Sequence, residues 1–221
     1  MLSISKTKIS THVLILMAAV PTIALLTSSY RLEDSELEPG DTIPMMDVSM
    51  QGTDGDDHTL RSELKGNGLL VVFSCNTCPF VVGNEHFDGW EHQYNGLYEQ
   101  AKSEGIGFVL INSNAAKRDG DDSMKKMKAH AEELGYRMNY LVDEGAKLAD
   151  AFGAKTTPHL FAFNSEGALV FKGSIDNSWD SGRETLETYA KDVIGHLGSN
   201  RQTLTHTSST PKGCSIKRKS L

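Results

Sequence analysis

Short apolar runs at 69–73, 106–111, 140–142, 159–163 and 169–172 are bounded by Gly, Asn, Asp or Pro. Their length and punctuation predict buried β-strands. Between them the apolar residues recur at helical spacing. Phe87, Trp90, Tyr94, Leu97 and Tyr98 share one face of a segment that reads as a single helix over 79–104, with a weak start at Val81-Val82-Gly83. Met124, Met127, Ala131 and Leu134 predict a second helix, opened by Asp122 or Ser123 and closed by Gly135. A short helix carries Leu148 and Phe152, and a final one carries Leu186, Tyr189, Val193, Ile194 and Leu197. Asp54-Gly55 between short extended pieces predicts a β-hairpin near the start of the domain. Helices alternating with strands predict an α/β fold, a mixed central sheet covered on both faces, with that hairpin as an N-terminal extension.

The chain has 221 residues, which suits one domain with appendages. Four segments follow. Lys6 and Lys8 precede an apolar run over 13–26, so 1–29 reads as a signal peptide or an N-terminal membrane anchor. Residues 30–40 read as an acidic spacer, 41–198 as the domain, and 199–221 as an extended or mobile tail that contains Cys214. Either reading of the N-terminus implies export, with a bacterial periplasm or envelope as the compartment and membrane anchoring as one form of it. The formal net charge of −7 gives no basic surface, so nucleic acid is not an expected partner.

The chemistry concentrates at Cys75-Asn76-Thr77-Cys78, directly after the 69–73 strand and directly before Pro79 and helix. Two thiols at that spacing read as a pair that opens and closes a disulfide. A helix end beside them favours thiolate, the nucleophilic form, and the nearer thiol, Cys75, is expected to be the acidic one. A zinc half-site and two inert buried thiols are the competing readings. A closed zinc site takes four ligands, and no second pair is present. No cofactor and no metal are expected. Cys214 is the odd thiol: a second resolving group if the tail folds back, an intermolecular link, or inert.

The stretches Phe73-Ser74-Cys75-Asn76-Thr77-Cys78-Pro79, Ile111-Asn112-Ser113-Asn114, Thr157-Pro158-His159, Gly173-Ser174-Ile175-Asp176-Asn177 and Gly213-Cys214-Ser215-Ile216-Lys217 occur in that order. Together they resemble the thioredoxin fold, and within it the redoxins that look like peroxiredoxins but carry a thioredoxin-type CxxC. The resemblance spans 41–219. It implies a thiol–disulfide oxidoreductase in which Cys75 is the exposed attacking thiol and Cys78 resolves. It also implies that Pro158 is a cis-proline facing the pair, and that Thr157 offers backbone groups to an extended substrate strand. The implied partners are protein disulfides or dithiols and an upstream reductant. Asn114, at a strand's C-terminal end, and Cys214 are auxiliary candidates. A thiol-dependent peroxidase and an envelope copper or zinc chaperone are the alternative activities. Val72 stands where peroxiredoxins carry threonine, and Leu69 where thioredoxin has a buried aspartate, so neither a peroxide-orienting hydroxyl nor a proton acceptor is visible in the sequence.

Overall fold

The computed structural model describes residues 36–198 and 202–219. The signal or anchor reading of 1–29 lies outside the described residues. Among the described residues, no helix is long and apolar enough to cross a membrane.

A hairpin of β1 (Met50–Gln51) and β2 (Asp57–His58) comes first, followed by a one-turn helix, α1 (Leu60–Glu63). Thr59 caps α1 by accepting from the Ser62 N–H, so the chain turns helical directly after β2. The central sheet uses β3 (Leu69–Phe73), β4 (Gly107–Asn112), β5 (Asn139–Val142), β7 (His159–Phe163) and β8 (Leu169–Gly173), in the order β5-β4-β3-β7-β8. β3, β4 and β5 pair in parallel, while β7 pairs antiparallel with both β3 and β8, which makes the sheet mixed. β6 (Thr156–Thr157) stands apart and pairs with β9 (Cys214–Ser215) of the tail.

The period-2 alternation of each strand sends side chains to two separate cores. Leu70, Val72, Phe108, Leu110, Leu160 and Ala162 face α3 (Glu91–Ser103) and α6 (Tyr189–Leu197), with Met127 of α4 (Met124–Glu133) in the same layer. Leu69, Val71, Phe73, Val109, Ile111, Phe161 and Phe163 face α5 (Lys147–Phe152), with Leu37 and Ile43 from the N-terminal side and Ile216 from the tail. Because both faces are covered, β3 and β4 are buried throughout and read as continuous apolar runs.

The helix expected over 79–104 is two helices. α2 (Pro79–Val82) stops after one turn, and α3 begins at Glu91. Gly83 has φ +91° and Gly89 φ +72°, and a Cβ on Gly89 would meet the Val81 carbonyl at 2.3 Å. Those backbone positions are open to glycine and end the helix. The loop folds back so that the Trp90 N–H donates to the Phe80 carbonyl, 3.1 Å, and Phe87 packs edge-on to Trp90. Periodicity still placed Trp90, Tyr94 and Leu97 in the core. Leu186, expected on the final helix, precedes α6 and is exposed.

The end of the expected spacer is docked on the domain. The Leu37 N–H donates to the Phe152 carbonyl, and Leu37 is buried. Glu36 lies against Lys155, Lys172 and the fully buried His159, whose Nε2 is 3.4 Å from Glu36 Oε1. Burial alone would raise the Glu36 carboxyl, but contacts with His159, Lys155 and Lys172 overcome it and hold it at about 2. A depressed carboxyl contributes stability that is complete above its ordinary value of 4.5 and disappears as pH falls toward about 2. Glu36→Gln is therefore expected to lower the urea midpoint at neutral pH. The gap to the parent should close between pH 4.5 and about 2, and a pH-independent gap would contradict this assignment.

Candidate active site

β3 ends at Phe73, and the chain turns through Ser74 to Cys78 before Pro79 opens α2. Proline suits a first helical turn because its missing N–H has no partner there. The turn is held from below by a carboxylate. Asp122 is fully buried, and its Oδ1 accepts from the Asn76 N–H at 3.0 Å and from Asn112 Nδ2 at 2.8 Å. Its Oδ2 accepts from Asn114 Nδ2 at 3.0 Å. Tyr140 closes the network, accepting from Asn112 Nδ2 and donating to Asn76 Oδ1. Of the two residues expected to open this helix, Ser123 occupies the N-cap position, and Asp122 turns inward to this network instead. The loop before α4 thus places a buried carboxylate under the cysteine turn, bonded to amides of Asn76, Asn112 and Asn114.

From the other side comes β6. The Thr157–Pro158 peptide is cis, the conformation the resemblance implied. Thr157 touches both thiols of the pair: its Oγ1 is 3.1 Å from Cys75 Sγ, and its carbonyl oxygen is 2.9 Å from Cys78 Sγ. The backbone edge expected to receive a substrate strand already carries one, because Thr157 pairs with Cys214 of β9. Gly213 permits that approach, since a Cβ there would meet the Thr157 carbonyl at 2.3 Å. Through this pairing β9 of the tail lies along β6 beside the cysteine turn.

The tail brings the third sulfur in. The Cys214 N–H donates to Cys78 Sγ at 3.3 Å, and the Cys214 thiol also hydrogen-bonds to Cys78. Cys75, Cys78 and Cys214 are free cysteines in this structure. Asn114 does not touch a thiol. Its Oδ1 accepts from the Lys217 N–H at 2.8 Å, which ties the tail to the Asp122 network. His159 lies against Glu36, and its ring packs on Phe161 at 4.4 Å with a 42° tilt. Asp176 caps Ser178 and also accepts from Trp90 Nε1 and Gln93 Nε2, fixing the loop after β8 to α3. Among the described residues, no group of three or more His, Cys, Asp or Glu is arranged to hold a metal ion.

The electrostatics differ from the expectation. Cys75 is 2% exposed and Cys78 3%, so neither is an exposed thiol. The Cys75 thiol donates to Cys78 and is held well above its ordinary value, first by that bond and then by burial. The Asp122 charge adds to the rise, and the Thr157 hydroxyl and Thr77 N–H oppose it. Cys78 is pulled down to about 5, chiefly by the same bond from Cys75. Burial opposes this, while the Cys214 thiol, the Cys214 N–H and the Phe80 N–H add to it. The Thr157 carbonyl pulls the other way, since only a protonated Cys78 can donate to it. The contacts that reach the pair favour the charge on Cys78 and the proton on Cys75. α2 is a single turn, so nearby N–H and S–H groups, rather than a long helix dipole, account for the acidity. Cys214 is raised to about 11, by burial first and then by the neighbouring Cys78, with Lys217 opposing.

Residues 38–191 match the Redoxin family, and the chain belongs to it. An uncharacterized conserved protein from Geobacillus kaustophilus is 30% identical, with a TM-score of 0.72 over 82% of this chain and 93% of that one. A hypothetical protein from Sinorhizobium meliloti is 26% identical, with a TM-score of 0.70 over 84% of this chain and 97% of that one. The peroxidoxin BcpB of Mycobacterium tuberculosis, 16% identical with a TM-score of 0.54 over 73% of this chain and 97% of that one, shares the thioredoxin-like fold. No curated protein sequence matches the chain significantly.

Asp122→Ala would leave the Asn76 N–H and the amides of Asn112 and Asn114 without their buried acceptor. Each such loss costs about 1–3 kcal/mol. The variant is expected to lose at least about 3 kcal/mol in urea unfolding. A change below about 0.5 kcal/mol, the usual range at surface sites, would contradict the network.

Proposed function

We propose that this redoxin is a thiol–disulfide oxidoreductase that cycles Cys75 and Cys78 between dithiol and disulfide. The observation supporting this reading is one residue, Thr157, that touches both sulfurs of the pair at a strand-to-helix turn. Thiolate is the reactive form in disulfide exchange, and a pair held in one turn makes the second step intramolecular.

The charged sulfur makes the first attack. Cys78 thiolate displaces one sulfur of a substrate disulfide, which leaves as thiolate and takes a proton from water. Cys75 then gives its proton to the remaining substrate sulfur as it attacks Cys78. The Cys75–Cys78 disulfide closes, the substrate bond breaks, and two electrons pass from the pair to the substrate. Oxidation of substrate dithiols runs through the same atoms in reverse. The resemblance implies the opposite order, with Cys75 attacking first; the position of the charge supports Cys78. A dithiol reductant restores the pair.

A second reading has its own observation. Thr157 Oγ1 beside Cys75 supplies a hydroxyl that Val72 cannot, so the alternative of a thiol-dependent peroxidase keeps a structural footing. The peroxidoxin neighbour shares the fold, which is common ground for both activities.

Both readings are separated by assaying the purified chain with dithiothreitol against insulin and against hydrogen peroxide. Insulin reduction is expected to be the faster reaction. Cys78→Ser should drop to the background of dithiothreitol alone, and Cys75→Ser should turn over more slowly than the parent. Parental turnover in Cys78→Ser would remove this site from the mechanism. Mixed disulfides trapped on Cys75 in Cys78→Ser would reverse the order of attack.

A further inference from the structure

The pair accounts for two of the three sulfurs, yet the third meets the same centre. The Cys214 N–H reaches Cys78 Sγ at 3.3 Å, and Cys214 is in register with Thr157, whose carbonyl meets the same sulfur. The approach is built by a long stretch of tail. The Lys212 N–H donates to Ser174 Oγ at 3.0 Å, and the Lys212 ammonium lies 4.6 Å from the Trp179 ring centre. The Ile216 N–H donates to the Lys155 carbonyl at 3.0 Å, and the Ile216 side chain is buried. Lys217 is bound at its N–H by Asn114 and at its carbonyl by Ala116. Arg218 Nε pairs with Asp150 at 2.6 Å. A strand held at so many points fixes where its cysteine lies.

We propose that Cys214 is a third redox thiol that resolves at Cys78, closing a Cys78–Cys214 disulfide that fastens the tail to the site. The proposal rests on the oxidoreductase reading and gives Cys78 two resolving partners, one inside the turn and one on the tail. In the step itself, Cys78 already carries a substrate sulfur as a mixed disulfide. Cys214 loses its proton and attacks Cys78. The Cys78–substrate bond breaks, and the substrate sulfur leaves and takes up a proton. The two electrons come from Cys78 and Cys214, which end as a disulfide. A dithiol reductant then attacks the sulfur of Cys214 and releases Cys78 as thiolate, a favourable leaving group.

Two features favour this division of labour. Cys214 is the least buried of the three sulfurs, so a reductant too large to enter the turn meets it first. The Cys78 charge and its hydrogen bond help keep the proton on Cys214 in the reduced site, and both are removed once Cys78 is bonded. Cys214 is thereby readied at the moment it is needed.

Disulfide mapping tests the proposal. The reduced full chain and its Cys75→Ser and Cys214→Ser variants are oxidised with limiting diamide, blocked with N-ethylmaleimide, digested with pepsin at low pH and analysed by mass spectrometry. Cys75→Ser is expected to yield the peptide pair joined through Cys78 and Cys214, with both thiols lost to alkylation. Cys214→Ser is expected to yield only Cys75–Cys78. Gly213→Val, which sets a side chain against the Thr157 carbonyl, should lose the Cys78–Cys214 link and keep Cys75–Cys78. If Cys78 and Cys214 both stay alkylated in oxidised Cys75→Ser while the parent forms Cys75–Cys78, the proposal falls and the oxidoreductase reading stands. If the parent forms no disulfide at all and does not reduce insulin, both fall together.

Discussion

The sulfur of Cys78 is the point on which this site depends. It receives the Cys75 thiol, the Cys214 thiol and N–H, and the Phe80 N–H, and it faces the Thr157 carbonyl. A thiol buried this far should be hard to ionise, because removing it from water penalises the charged form. Donors brought from three separate pieces of chain reverse that outcome. The turn after β3 supplies one, the start of α2 another, and a tail more than a hundred residues away the rest. Each donor is placed by packing elsewhere, so the chemistry of one atom reflects the whole α/β frame.

Asp122 and Thr157 are the two supports of that arrangement. Asp122 holds the turn by the Asn76 N–H and reaches the tail through Asn114 and Lys217. Thr157 holds both sulfurs and aligns β9. Together they link the turn, the loop after β4, the loop before α4 and the tail into one hydrogen-bonded assembly. Such networks are costly when broken, because each buried donor left over has no water to turn to. The fold therefore favours keeping the three thiols together.

Much of this was legible in the chain. The five sheet strands follow from apolar runs bounded by turn residues, and the cysteine pair and Pro158 stand out by motif and order. What escaped has physical causes. The break between α2 and α3 depends on backbone conformations at Gly83 and Gly89, while the apolar spacing continues across it. Asp122 looks like any helix-start aspartate until its partners, distant in sequence, are brought together. The tail is polar and rich in Ser and Thr, which reads as extended or mobile, and its docking combines backbone pairing with contacts of Ile216, Lys212 and Arg218 to residues distant in sequence. The acidity of Cys78 over Cys75 depends on those same contacts. The one signal available was Gly213-Cys214-Ser215-Ile216: a glycine that permits close approach, a thiol, and an apolar residue to anchor it.

The most direct measurement is a pH titration of the reduced chain carrying cysteine labelled with carbon-13 at Cβ, read by NMR with each cysteine assigned from its serine variant. The account predicts that Cys78 ionises with a midpoint near 5 while Cys75 holds its proton through neutral pH. A Cys78 midpoint at the free-thiol value of about 8.5, or an acidic Cys75 beside a neutral Cys78, would contradict it.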